Sequence, residues 1–284
     1  MSNIKLFSAY HLQTPVPESE NFVACQVGAA SSEKLFLQYH DDMWPDSISD
    51  KNGVYSELSM QWQIAKHETS EYIGMCHYRR LFNPFGVDSI IDGTDYLTNS
   101  DVNYEYGKQS RPSVDWNEQL WSMLTSQYAL EALKDLVDGD KTVVTLTAFE
   151  KTNKWSLWTL ADIGWVPTLT VILFFEYMQS VMTKDEFADF HEIINLSNSH
   201  YCNNMIFCKN AVFKQYSEWL FGHLFAFEKL LIAKEASTGR KLIVPRMFGY
   251  FSEYMLRPWL IMNHMNIKEV ESICFTNLKT DTRI

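Results

Sequence analysis

No two of the five cysteines, Cys25, Cys76, Cys202, Cys208 and Cys274, form a C-x-x-C pair or a His/Cys metal-ligand spacing. Disulfide scaffolds and zinc-finger modules therefore lack their framework here, and the thiols read as reduced groups of a cytoplasmic protein. Positive charge is also scarce: 24 Lys and Arg stand against 35 Asp and Glu, for a formal charge of −11. Generic nucleic-acid binding needs a basic footprint, so nucleic acid is not an expected partner. Long apolar runs are missing too. The most apolar stretch, Trp155 to Met178, is divided by Asp162 and interrupted by Pro167, and Glu176 follows the run Thr168 to Phe175. A spanning helix needs about 20 apolar residues. The stretch is expected as a buried helix, with an interfacial or subunit contact as the alternative. No secretory leader is expected either, because Lys5 precedes only a brief apolar run, which Pro15 and Pro17 keep from extending.

What is present is enough apolar material for a sizeable core: 46% of 284 residues. The chain is expected to organise around the stretch from Pro45 to Phe82. Asn52 and Gly53 supply a turn, and Tyr55, Leu58, Trp62 and Ala65 recur at helical spacing, so one helix is expected there. Beyond the polar break His67 to Glu71, Tyr72 to Cys76 is short, apolar and continuous, as in a strand covered on both faces. In open α/β sheets ligands gather beyond the carboxyl ends of such strands. His77, Tyr78, Arg79 and Arg80 stand at that place. A guanidinium cannot shed its charge, so two arginines after a buried strand need either internal carboxylates or an anionic ligand such as a diphosphate. The residues alone leave both open.

Other stretches carry weaker signals. Asp41, Asp42 and Asp46 crowd one loop without matching a defined metal loop, and a solvated acidic loop is the simpler reading. Asp138-Gly139-Asp140 lies between a helix-like run, Gln127 to Leu136, and a strand, Thr142 to Leu146, so a tight turn is expected. Asn83 to Trp116 is polar and irregular, with Tyr96, Tyr104 and Tyr106 scattered through it, and is expected to be a loop or lid. Ile206 to Cys208 reads as a strand, with an amphipathic helix through Phe213, Tyr216, Trp219 and Leu220 after it. Lys229 to Arg246 is basic; a solvated loop is expected, with contact to anionic lipid or a lipid-linked acceptor as the alternative.

PDSISDKN-x-x-YSEL followed by YIGMCHYRRLF resembles the signature of a bacterial glycosyltransferase family from capsule and O-antigen gene clusters. NNMIFCKNAVFKQYSEWLF and RMFGYFSEYML resemble its later motifs, so the likeness runs from Ile4 to about Leu260. The resemblance implies an α/β, GT-A-like nucleotide-sugar-binding fold with a central, mostly parallel sheet and added C-terminal helices. It implies one domain over 1–284, with a nucleotide-sugar-binding half (1–150) and a helical, acceptor-side half (151–284). The activity implied is inverting transfer of a sugar, galactofuranose from UDP-galactofuranose, to a glycan or lipid-linked glycan at the inner face of the plasma membrane. Another UDP-sugar, or a non-catalytic glycan-binding subunit, is the alternative.

Residue by residue, the resemblance implies uridine contact by Tyr10 and His11, with a partly buried aromatic pair in a turn as the alternative, and a donor-side loop at Gln26 to Ala29. It implies donor contact by Lys51 and Asn52, with a helix cap as a second role for Asn52. Glu57 is expected to pair with Arg79 or Arg80. Where many such enzymes carry a metal-holding Asp-x-Asp, His77, Tyr78, Arg79 and Arg80 stand instead. Metal-independent transfer is therefore expected, with no metal ligands or cofactor assigned and a divalent cation left open. His200, Asn203, Asn204 and Arg246 are expected to meet acceptor or sugar, and Glu253 to act as the base that removes the acceptor proton. A helix-start charge is the alternative for Glu253. The chain departs from the family in having Tyr254 where an arginine is usual, and in lacking an intact Y-x-x-x-H pattern between Glu150 and Asn195.

Overall fold

The structure is a computed structural model and describes residues 3–17, 19–95, 97–98, 101–104, 112–150, 157–196 and 199–278. Tyr96, Tyr106 and Trp155 lie outside the described residues. The strands are β1 (Ile4–Tyr10), β2 (Phe22–Gln26), β3 (Tyr72–His77), β4 (Arg80–Asn83), β5 (Asn103–Tyr104), β6 (Pro112–Asp115), β7 (Thr142–Leu146), β8 (Phe149–Glu150), β9 (Ser199–His200), β10 (Ile206–Lys209) and β11 (Asn266–Thr276). The helices are α1 (Asn52–Tyr55), α2 (Leu58–His67), α3 (Val87–Gly93), α4 (Glu118–Leu124), α5 (Gln127–Asp135), α6 (Trp158–Asp162), α7 (Thr168–Val181), α8 (Lys184–Leu196), α9 (Asn210–Thr238) and α10 (Met247–Met262).

The apolar runs work as expected of strands covered on both faces. Along β1, Phe7 and Ala9 enter one core while Ile4, Leu6 and Tyr10 enter the other; along β3, Ile73 and Met75 divide from Tyr72 and Cys76 in the same way. The first core lies under α1, α2 and α6 to α10, the second under α3, α4 and α5. Three layers result, with the sheet in the middle.

The sheet runs β2-β1-β3-β10-β7-β11-β6-β5, and β4 bridges β3 and β11. It is mixed, and antiparallel pairings outnumber parallel ones, which corrects the expectation of a mostly parallel sheet. β1 pairs in parallel with β2 and β3, and β11 with β7 and β6. β10 runs antiparallel between β3 and β7, and the pairings of β4 with β11 and β3, and of β5 with β6, are antiparallel too. The reversal has a geometric consequence. A strand lying antiparallel among parallel neighbours carries the residues that precede it to the edge where its neighbours end. Because β10 and β11 come from the second half of the chain and pair with strands of the first, the sheet is shared by both halves.

Three expected elements divide. The helix after Asn52 breaks at Ser56 (φ 53°, ψ −135°) into α1 and α2. The apolar stretch before Met178 forms α6 and α7, separated by Gly164 and Pro167, and among the described residues no helix is long and apolar enough to cross a membrane. The region read as a loop from Asn83 to Trp116 contains α3, whose Val87 and Ile90 are buried, as well as β5 and β6. Conversely, the expected loop after Lys229 is helical to Thr238, where α9 ends on Gly239 (φ 67°).

Candidate functional site

The ends of β1 and β3 lie side by side, Ala9 opposite His77. His11 follows β1 directly. After β3, Tyr78 and Arg79 make a two-residue turn, because His77 pairs with Arg80 at the start of β4. Tyr78 is buried and serves as the floor: Tyr10 packs at 5.8 Å, His11 meets it edge-on at 4.9 Å, and the Arg79 guanidinium carbon lies 6.0 Å from its ring centre. Tyr10 is fully buried, and its hydroxyl donates to the Pro15 carbonyl at 3.4 Å. Of the two residues expected at uridine only His11 reaches solvent.

The loop before β10 meets this edge through a buried polar cluster. His77 Nε2 lies 2.7 Å from the Asn203 carbonyl, which assigns the proton to that nitrogen, since a carbonyl only accepts. Asn204 donates to Glu57 Oε1 at 2.7 Å and to the Gly249 carbonyl at 3.3 Å, and accepts from Ser252 Oγ at 2.8 Å. Glu57 is 9% exposed and sits 3.9 Å from His77 Nε2. It reaches inward because the chain turns at Ser56; a continuous helix would have put it on another face. A Cβ on Gly249 would come within 3.1 Å of Ser56, so glycine there lets α10 approach the break. Four non-glycine residues with positive φ, Ser56, Asn203, Asn204 and Arg246, meet around this cluster. Such conformations cost about 1–3 kcal/mol each and persist where the surroundings over-determine them.

Several cations face this edge. Burial lowers the His77 pKa first, Glu57 opposes that, and Arg80 and Arg79 add to the lowering. Desolvation likewise lowers His11, followed by His77, Arg79 and Arg246. Arg246 caps α10 in the left-handed conformation (φ 61°); its backbone N–H donates to the Gly53 carbonyl at 2.9 Å, and its guanidinium stands 5.4 Å from the Tyr250 ring. Among the described residues neither Arg79 nor Arg246 forms an ion pair. Arg79 Nε and Asn203 Nδ2 are buried donors without a hydrogen-bond partner there. Buried donors normally find acceptors, so this edge suits an oxygen-rich anion.

Lys51 and Asn52 are engaged within the protein. Lys51 Nζ binds Glu228 Oε2 at 2.6 Å, an oxygen that Tyr55 also reaches, and Asn52 Nδ2 donates to the Ser56 carbonyl and to Ser59. Asn52 also lies against Gly28 (φ 72°), where a Cβ would come 2.8 Å from its Oδ1. Asp41, read as part of a solvated acidic loop, is wholly buried and corrects that reading. It accepts from the backbone N–H groups of Gly28 and Ala29 and from the hydroxyls of Ser49 and Ser59, all within 3.0 Å. Those donors occupy its lone pairs and fix the Gln26–Ala29 loop against the turn before α1 and against α2. Sequence reading missed Asp41, Glu228 and Ser252 in these roles. Each acts through partners outside its own turn or helix, and no local pattern marks them.

Glu253 lies in the second turn of α10, half-buried, next to His200 and Cys202. The remaining Asp-x-Asp is where a turn was expected, at the opposite edge of the sheet: Asp138 pairs with Lys268 and Asp140 with Lys209. An open cavity of about 760 Å³ lies at the far end of α10, among Glu186, Asp189, Glu192, Arg257 and Trp259. Its acidic lining suits a diphosphate poorly.

A search of curated proteins finds no match. Among solved structures, the chain is similar to the bifunctional glycosyltransferase WbbM in its apo form, with a TM-score of 0.77 at 17% identity. That likeness covers 100% of this chain and 47% of WbbM, so the chain spans about half the length of its structural relative. Residues 5–264 match one family along nearly the whole chain, and the protein thus belongs to the family described as Domain of unknown function (DUF4422).

Proposed function

We propose that this protein transfers a sugar from a nucleoside-diphosphate donor to a glycan acceptor. The observation that carries the reading is the pair Arg79 and Arg246, both acting on His11 at the carboxyl edge of β1 and β3 and neither ion-paired among the described residues. The similarity to WbbM supports it at the level of fold. Arg79, with Arg80 and Arg246, would take the diphosphate oxygens and stabilise the leaving nucleotide as its charge develops, in place of a metal ion. His11 and His77, neutral at pH 7, would add hydrogen bonds without further charge. The Asn203–Asn204 loop and His200 would border the sugar and acceptor. In the inverting form of the reaction, the acceptor hydroxyl attacks the anomeric carbon while Glu253 takes its proton, and the bond from that carbon to the diphosphate oxygen breaks. UDP-galactofuranose is the donor we assign, with a lipid-linked surface glycan, met at the inner membrane face, as acceptor.

The test is calorimetric titration of UDP, first with EDTA and then with manganese, on the natural protein, Arg79→Ala and Arg246→Ala. Binding that survives EDTA and weakens about 10- to 100-fold in each variant is the expected result, the scale of a lost charge-assisted hydrogen bond. A requirement for manganese would overturn the metal-independent reading, and absence of binding under both conditions would replace it with a non-catalytic role. Turnover compared between UDP-galactofuranose and UDP-galactopyranose then decides the donor.

A further inference from the structure

We propose that His200, Cys202 and Glu253 form a binding site for a single thiophilic divalent cation of the zinc class. His200 ends β9 and Cys202 follows two residues on, close enough for their side chains to meet. Glu253 comes to them from α10. Their ligand atoms all lie within 4.8 Å of one another, and Cys202 Sγ is 3.0 Å from His200 Nε2. The His200 ring is held by parallel stacking on Tyr254, centroids 4.8 Å apart and planes 4° from parallel. One nitrogen, one sulfur and one carboxylate oxygen make a borderline-soft set that suits zinc and not magnesium or calcium.

At 3.0 Å the thiol and the imidazole share a proton. A cation takes its place: the S–H bond breaks, a sulfur–metal bond forms, one proton leaves to solvent and no electron changes hands. Zinc bonds of about 2.3 Å to sulfur and 2.0–2.1 Å to nitrogen put those two ligands about 3.5 Å apart. The pair therefore widens by about half an ångström, within a side-chain adjustment. Three protein ligands leave a fourth position for water. The site is chemically unlike the arginine edge, so an ion here does not neutralise a diphosphate. If Glu253 is the base, a bound ion occupies it; that consequence rests on the proposed transfer reaction, whereas binding itself does not.

Cobalt(II) is the probe, added to protein freed of metal by chelator, with zinc as competitor. The expected result is one cobalt per chain, a near-ultraviolet thiolate-to-cobalt band, about one proton released, and loss of the band on adding zinc. Cys202→Ser should abolish the band, Glu253→Gln should weaken binding at least about tenfold, and Cys274→Ser, the other half-buried thiol, should leave both unchanged. Melting curves confirm that each variant folds. No band in the natural protein, or a band that persists in Cys202→Ser, overturns the proposal. These readouts do not involve UDP, so their failure and that of the proposed transferase activity are distinguishable.

Discussion

The two edges of the central sheet use charge in opposite ways. At the edge where β7 begins, Asp138 and Asp140 stand in solvent with Lys268 and Lys209 beside them at 3.2 and 2.6 Å. Where β1 and β3 end, Arg79 and Arg246 have no such partners among the described residues, and one nearby carboxylate, Glu57, is buried and hydrogen-bonded to Asn204. Exposed pairs contribute little to stability because water and salt already screen them. Unmatched cations beside a buried cluster are kept at a cost, and under the proposed function a bound diphosphate would offset it. The comparison separates charge paired beside a turn from charge left without a carboxylate partner among the described residues.

The largest expected effect comes from removing that readiness altogether. Arg79→Ala combined with Arg246→Ala should weaken UDP binding by about 10³-fold, since two charge-assisted contacts are lost, while the melting temperature stays the same or rises. A fall in melting temperature with unchanged UDP affinity would mean the arginines serve the fold. Next, Asn204→Ala leaves Glu57 and Ser252 without their shared partner and should cost about 1–3 kcal/mol in urea unfolding. Stability equal to the natural protein would show that water replaces the amide.

The response to pH sharpens the contrast further. His77 and His11 have pKa values lowered by folding, so the unfolded chain binds protons more readily than the native one. Their contribution is present above the ordinary histidine range, about 6.5, and is lost as pH falls below it. Urea midpoints should decline between pH 7.5 and 5.5, less steeply in His77→Gln. UDP, an anion next to both rings, should bind more tightly over the same interval, and binding that weakens instead would place it elsewhere. Glu57→Gln keeps an acceptor for Asn204 but removes the charge that raises His77, so the His77 pKa should fall further, as read by NMR titration. The smallest effect is expected at the opposite edge: Asp138→Asn and Asp140→Asn should leave UDP binding and manganese response unchanged, and a change in either would return the Asp-x-Asp to the active site.

Much of this organisation was legible in the residues. The continuous apolar run Tyr72 to Cys76 marked a strand covered on both faces, and it identified the place where Arg79 and Arg80 would stand. Asp138-Gly139-Asp140 read as a turn and is one. Other features were not legible because they depend on partners in other elements of the fold. Lys51 read as a donor contact, and the 2.6 Å pairing of its ammonium with Glu228 of α9 was not visible beside it in the sequence. Asp41 read as solvated, but four donors from two loops and a helix enclose it. The break at Ser56 left no mark, since the apolar spacing from Tyr55 to Ala65 continues across it.

By itself the sequence determined several elements, among them β3, β7, β10 and α5, because continuous apolar runs and three- and four-residue spacing follow from local backbone geometry. It also determined that two arginines would follow a buried strand. Only the tertiary structure decided that β10 would lie reversed between β3 and β7, bringing Asn203 and Asn204 to His77, and that Arg246 would bear on His11 from the cap of α10. Strand order and register are fixed by contacts between residues far apart along the chain, and local periodicity does not encode them.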